Sequence, residues 1–202
     1  MTVIQSKKVN GKHKILLLSV IMVLLSFCVF AQKKWSFELR PAIHFPTKDL
    51  GTTSLKTGAG ISGQIAYKFM PHLAAYGGWS WSRFTGKYAA ETNKLDFEET
   101  GYCFGLQFIH PVTSSGLIYM LKAGATVNHI ETENNSGQVI NDTGHGLGWE
   151  LGAGIGLRVS NRIMILPQVN YRSLSRDIKY GSVSTAVDLN YISAGVGVSF
   201  SY

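Results

Sequence analysis

Hydrolase chemistry would need a histidine, a serine and a carboxylate brought together. His44, His129 and His145 stand near polar segments, and Asp142 precedes the last of them by three positions. No local motif fixes these residues relative to a serine, and polar residues outside such motifs are usually only solvated. The sequence therefore predicts no enzymatic activity.

Metal and nucleotide chemistry have no stronger support. The chain contains neither H-E-x-x-H nor C-x-x-C, and the acids Glu131, Glu133 and Asp142 would bind a cation only weakly. The glycine-rich segment GWELGAGIGLRVS (148–160) lacks both G-x-G-x-x-G before a helix and G-x-x-x-x-G-K-[ST]. We therefore predict no metal site, no cofactor and no phosphate-binding loop.

A larger polar set stands within otherwise apolar segments, where hydrocarbon could not solvate its members. Its members are Glu38, Arg40, Gln64, Lys68, Lys122, Glu150, Arg158, Gln168, Asn170 and Arg172. If the apolar faces contact lipid, this set must face inward. A tight turn centred near residue 161 places Glu150 directly opposite Arg172, where the two would form a desolvated ion pair. Such a pair favours an interior filled by side chains, with an open channel as the alternative.

The elements that would position this set are strands, because apolar and polar residues alternate along eight segments. Pro41 predicts a local irregularity in the first segment. The eight segments are 35–45, 57–69, 73–84, 98–110, 117–130, 148–160, 163–173 and 192–202.

The connections between these segments alternate in length. Short ones cover 70–72, 110–116 and 160–161, and longer polar ones cover 46–56, 85–97, 131–146 and 174–187. Short and long turns at opposite ends are typical of an outer-membrane barrel, whereas a soluble barrel places apolar residues inside. The predicted fold class is all-β, an eight-stranded antiparallel up-and-down transmembrane β-barrel preceded by a signal peptide. Its narrow interior explains the glycines, which leave room for long neighbours.

Aromatic residues fall at two levels of this barrel, as expected for rings at the two membrane interfaces. The level near the periplasm comprises Trp35, Phe37, Tyr67, Phe69, Phe108, Tyr119, Phe200 and Tyr202. The outer level comprises Phe45, Trp79, Trp81, Trp149 and Tyr171.

Residues 1–31 predict a signal peptide. Four lysines precede an apolar run from Ile15 to Ala31, and Val29 and Ala31 fit a small-x-small cleavage site. An uncleaved anchor helix is the alternative. Cleavage would leave a barrel domain over 33–202 with Cys103 as its only cysteine, and hence no intramolecular disulfide.

The net charge of +7 does not indicate nucleic-acid binding. Removing the four leader lysines leaves 15 basic against 12 acidic residues, a net charge of +3. Charged residues are also only 15% of the chain, below the roughly 25% of a typical soluble domain.

The leader, the eight strands and the closing segment YISAGVGVSFSY (191–202) resemble the small outer-membrane β-barrel family. That family includes OmpX-like and OmpA-like transmembrane domains and the outer membrane protein beta-barrel domain of the Bacteroidota type. The resemblance implies an integral location in the lipid of a Gram-negative outer membrane. It also implies escort by periplasmic chaperones and insertion by the barrel assembly machinery. The residues that resemble the assembly signal are Val196, Val198, Phe200 and Tyr202.

The resemblance covers 33–202 and is specific for architecture rather than for activity. Its members are described as porin-like, adhesive or structural. We therefore expect a barrel with a filled lumen and a structural or surface-interaction role through long extracellular loops, whose partner the sequence does not identify. A narrow porin-like channel for ions or small solutes and an outer-membrane lipid-modifying enzyme are the alternatives.

Overall fold

The computed structural model describes residues 34–202, with gaps at 52, 88–94, 113–115, 135 and 181–182. The predicted signal peptide lies outside the described residues and stays a prediction. The described residues form no helix with the length and apolar character that a membrane span requires. The strands are β1 Trp35–Pro46, β2 Ser54–Leu55, β3 Gly58–Lys68, β4 Leu73–Lys87, β5 Asp96–Pro111, β6 Leu117–Glu133, β7 Val139–Asp142, β8 Gly146–Arg158, β9 Ile163–Tyr180 and β10 Val183–Ser201.

The eight long strands close into an antiparallel barrel, which confirms the predicted fold class. Each pairs with its neighbours in chain order, and β1 pairs with β10 to complete the ring. The closing register sets Ser36 opposite Ser201 and Phe45 opposite Ile192. The short strands β2 and β7 pair with β4 and β6 respectively. We call the end where β1 begins the near end and the opposite end the far end.

A belt of exposed apolar side chains surrounds the middle of the barrel. Leu39, Ile65, Leu121, Ile155 and Val169 all point outward and are between 44% and 54% exposed. Water would make such a continuous belt unfavourable, whereas hydrocarbon solvates it. The belt therefore marks the part of the wall that contacts lipid.

The aromatic residues predicted to form two levels all lie on the outer surface, exposed or half-buried. At the near end the rings of Trp35 and Tyr67 lie 4.8 Å apart. Further towards the far end the rings of Trp149 and Tyr171 lie 5.2 Å apart. The residues placed outward are Trp35, Phe37, Phe45, Tyr67, Phe69, Trp79, Trp81, Phe108, Tyr119, Trp149, Tyr171, Phe200 and Tyr202.

Towards the far end, apolar side chains lie inside the barrel and charged side chains lie outside, which is the reverse of the arrangement at mid-height. There, charged residues such as Arg83 and Glu98 point outward and form salt bridges. Apolar inside and charged outside is the arrangement of a barrel wall in contact with water. The apolar cluster inside this part, which we call the far-end cluster, comprises Leu50, Leu55, Phe84, Phe97, Ile130, Leu174, Val187, Leu189 and Tyr191.

The far-end wall corrects the predicted loop lengths. The sequence predicts a long connection over 174–187, but β9 and β10 extend to Tyr180 and from Val183. Leu174 pairs with Leu189 in this extension. The loop prediction was wrong because it treated polar outward positions as loop, although the alternation with inward apolar residues continues.

The glycines make room inside the barrel as predicted. A Cβ atom added to Gly152 would lie 2.1 Å from Asn170 Oδ1 and 2.9 Å from Lys122 Cγ. Six glycines would each bring an added Cβ within 3.0 Å of a neighbouring atom: Gly148, Gly152, Gly154, Gly156, Gly195 and Gly197.

We expect Gly124→Ala to lower the free energy of unfolding by about 1–3 kcal/mol, the usual cost of overpacking. The added Cβ would lie 2.2 Å from Tyr76 Oη and 2.5 Å from the Phe104 carbonyl oxygen, so backbone must move. Urea unfolding in detergent micelles measures the change. Gly63→Ala is the control, because its Cβ meets only Phe37 at 4.0 Å. Equal stabilities of the two variants would contradict the packing described.

Candidate functional site

The barrel interior at mid-height holds a cluster of charges centred on Glu150, which is 1% exposed. Tyr76 Oη donates a hydrogen bond of 2.8 Å to Glu150 Oε1. Lys122 Nζ lies 3.3 Å from the same oxygen, and Arg172 Nη2 lies 2.7 Å from Oε2. Glu150 and Arg172 are also directly opposite in the β8–β9 ladder. The ion pair predicted from the turn at residue 161 is therefore confirmed.

Arg172 extends this cluster to the other side of the barrel. Its Nη1 atom lies 3.0 Å from Glu99 Oε1 and donates to Ser80 Oγ at 2.8 Å. Tyr191 Oη donates to the second Glu99 oxygen at 2.5 Å, and Asn128 Nδ2 donates to the first. Arg172 thus pairs with two buried carboxylates, and the contacts around Glu99 join β4, β5, β6, β9 and β10.

A second polar layer lies closer to the near end. Gln168 Nε2 donates to Glu38 Oε1 at 2.7 Å, and Arg40 Nη1 donates to Gln168 Oε1 at 2.7 Å. Arg40 Nε also donates to Ser62 Oγ at 3.1 Å. These contacts join β1, β3 and β9, and each charged group has a partner.

Eight of the ten residues predicted to face inward are buried there, Gln64 and Asn170 included. Gln64 donates to Gln107 Oε1 at 3.3 Å. The prediction of an inward-facing side chain was wrong for Lys68 and Arg158, because both side chains are exposed. Lys68 and Arg158 are the last residues of β3 and β8, at the near end of the barrel. The alternation along each strand places them on the inward side, but the barrel wall no longer encloses them there.

The histidines weighed for hydrolase chemistry are divided between two surfaces. His44 is buried inside the barrel, and its Nδ1 atom forms a 2.8 Å hydrogen bond with Ser193 Oγ. His129 and Asp142 lie on the outer surface near His145. The wall therefore separates the His44–Ser193 pair from Asp142.

Several members of the interior network were not predicted from the sequence. Glu99, Tyr76 and Tyr191 all follow the inward alternation of their strands, and this alternation was the available signal. Arg176 was missed because its position fell in a predicted loop. Its guanidinium donates to the carbonyl oxygens of Asn128, Leu147, Ser175 and Gly146. It thereby links the backbones of β6, β8 and β9.

The sequence matches one family along most of its length. A model of the family described as "Outer membrane protein beta-barrel domain" matches residues 19–200. Comparison with the curated proteins gives no match.

Solved structures share the fold at low sequence identity. Neisserial surface protein A has a TM-score of 0.58 and 16% identity, over 83% of this chain and 97% of that one. OprG from Pseudomonas aeruginosa has a TM-score of 0.57 and 13% identity, over 84% and 97%. Outer membrane protein W of E. coli has a TM-score of 0.54 and 13% identity, over 85% and 100%. At these identities the similarity concerns the fold alone.

Proposed function

The chain belongs to the family of outer membrane protein β-barrel domains and is an integral outer-membrane protein, and from this premise we propose a non-enzymatic barrel with a closed lumen. Its role is structural, or one of surface interaction through the polar segments at the far end, which faces the outside of the cell. The barrel assembly machinery inserts it, with Val196 and Val198 on the lipid face of β10 as part of the assembly signal.

The observation that carries the proposal is the pair of contacts that cross the whole lumen. In an eight-strand ring, strands four places apart lie on opposite sides, as β4 and β9 do, and likewise β5 and β10. Arg172 on β9 reaches Ser80 on β4, and Tyr191 on β10 reaches Glu99 on β5. An eight-strand interior is just wide enough to be filled by side chains. Side chains that meet from opposite walls interrupt the lumen at mid-height, and this supports a closed barrel.

The far-end cluster adds a second barrier of a different kind. Phe84, Ile130 and Leu189 are at most 1% exposed, although they point into the lumen. Leu50 and Leu55 pack against them from the connection between β1 and β3. Hydrated ions cross such an apolar constriction poorly because they would have to lose water without gaining new partners.

Planar-bilayer recording tests the closed lumen. We expect no stable conductance steps from the reconstituted protein, with a general porin in the same lipid as the positive control. Heat-modifiable gel mobility of the recovered protein verifies that the barrel is folded. Reproducible steps from folded protein would overturn the proposal in favour of a narrow channel for ions or small solutes. Labelled lipid A added to the same preparation should remain unmodified.

A further inference from the structure

Three possible metal ligands meet on the outer surface at the far end. Glu131 on β6 and Asp142 on β7 are directly opposite in the ladder, and His129 lies two residues before Glu131 on the same face. His129 Nδ1 is 3.4 Å from Asp142 Oδ1, and its Nε2 is 3.9 Å from Glu131 Oε1. One ligand atom from each residue can be chosen so that all lie within 4.8 Å of one another.

This spacing is close to that of a bound first-row metal. Metal–nitrogen and metal–oxygen bonds of about 2.1 Å place tetrahedral ligand atoms about 3.4 Å apart. The chosen ligand atoms lie within 4.8 Å of one another, so side-chain rotations that shorten their separations by up to about 1.4 Å would bring the three groups to that distance. Three protein ligands leave further positions for water, as is usual at exposed metal sites.

Neighbouring groups hold two of the ligands in place. Asp142 Oδ1 accepts a 2.8 Å hydrogen bond from the backbone N–H of Gly144. The His129 ring stacks on the His145 ring, with centroids 4.5 Å apart and an angle of 26° between the planes. Hydrogen bonds to metal ligands orient them and raise affinity. The stacked His145 ring restricts the orientation of His129.

The surrounding charge also favours a cation. Glu131 faces Asp142 on one side and Glu98 of β5 on the other, and like charges directly opposite on a sheet are destabilising. Arg83 forms salt bridges with Glu98, Asp96 and Glu133. Among the described residues, Glu131 and Asp142 form ion pairs with His129, which carries a charge only when protonated.

We propose that His129, Glu131 and Asp142 form a surface site for one divalent first-row transition-metal ion of the Zn²⁺ class. The imidazole nitrogen selects Zn²⁺, Co²⁺, Ni²⁺ or Cu²⁺ over Ca²⁺ and Mg²⁺, which prefer oxygen ligands alone. The bound ion offsets the repulsion between the two carboxylates and ties β7 to the barrel wall.

The test is Zn²⁺ binding to the folded protein in detergent, without a polyhistidine tag, by isothermal titration calorimetry. We expect one equivalent of Zn²⁺, and at least a tenfold loss of affinity in His129→Gln and in Glu131→Gln. Glu133→Gln is the matched control, because Glu133 pairs with Arg83 in the same patch and should leave Zn²⁺ affinity unchanged. With Co²⁺, the wild type should give visible d–d absorption that His129→Gln lacks.

Three results would overturn the proposal. The first is no Zn²⁺ binding to protein whose gel mobility shows it folded. The second is Zn²⁺ binding that neither His129→Gln nor Glu131→Gln weakens, which would place the ion elsewhere, for example at His72 and His110, whose ring centroids lie 4.7 Å apart. The third is equally tight binding of Ca²⁺, which would show that the nitrogen is not a ligand.

Discussion

Arg172→Ala is expected to lower the free energy of unfolding by about 3–5 kcal/mol, the usual cost of removing one partner from a buried ion pair. Glu99 and Glu150 have side chains that are 0% and 1% exposed, and Arg172 contacts both. Its loss leaves Lys122 as the remaining cation at Glu150 and removes the salt bridge of Glu99. Urea unfolding in micelles, followed by tryptophan fluorescence, measures the change.

Two further variants separate charge from packing at this position. Arg162→Ala is the control, because this arginine is exposed at the near-end turn and should cost almost nothing. The double change Glu99→Gln with Arg172→Met should cost less than the sum of the single changes, because it removes a charge of each sign. A loss below about 1 kcal/mol in Arg172→Ala, as for a surface pair, would contradict the buried network.

Phe84→Ala is expected to cost about 3–5 kcal/mol, because it opens a cavity in a packed apolar interior. Phe84 is 1% exposed and lies within the far-end cluster. The same unfolding measurement in micelles detects the loss. Val139→Ala is the comparison, since Val139 is 52% exposed on β7 at the same end and should change stability little. A cost below about 1 kcal/mol for Phe84→Ala would mean that water fills this part of the lumen.

Much of the middle of the barrel could be predicted from the sequence because its signals are local. Alternation fixes which face a residue takes, and a tight turn fixes register between adjacent strands. Glu150 and Arg172 were paired on this basis alone. The contacts of Arg172 with Ser80 and of Tyr191 with Glu99 depend on closure of the whole ring, which no local pattern reports.

The far end was predicted poorly for a physical reason. Once a strand leaves hydrocarbon, its outer face must satisfy water, so the inside–outside rule for a membrane strand reverses. Leu174 and Leu189 therefore lie inside the wall, and the outward residues between them and their neighbours, such as Ser175 and Asp188, are polar. Polar residues of this kind are also typical of a loop. For the same reason the pairing of Glu131 with Asp142 was not predicted, because β7 lies in a segment predicted to be a long connection.

Chemical labelling of Cys103 tests whether the interior of the barrel is closed. This inward-facing side chain is 4% exposed at mid-height, and it is the only cysteine in a chain that starts at Gln32. Charged methanethiosulfonate reagents should label it in the folded protein at least about a hundredfold more slowly than in urea, because a buried thiol reacts only when the structure opens. Ser136→Cys, at an exposed turn, supplies the fast reference in the folded barrel. If Cys103 in folded protein reacted as quickly as that reference, the lumen would be open to water and the interior would not be closed.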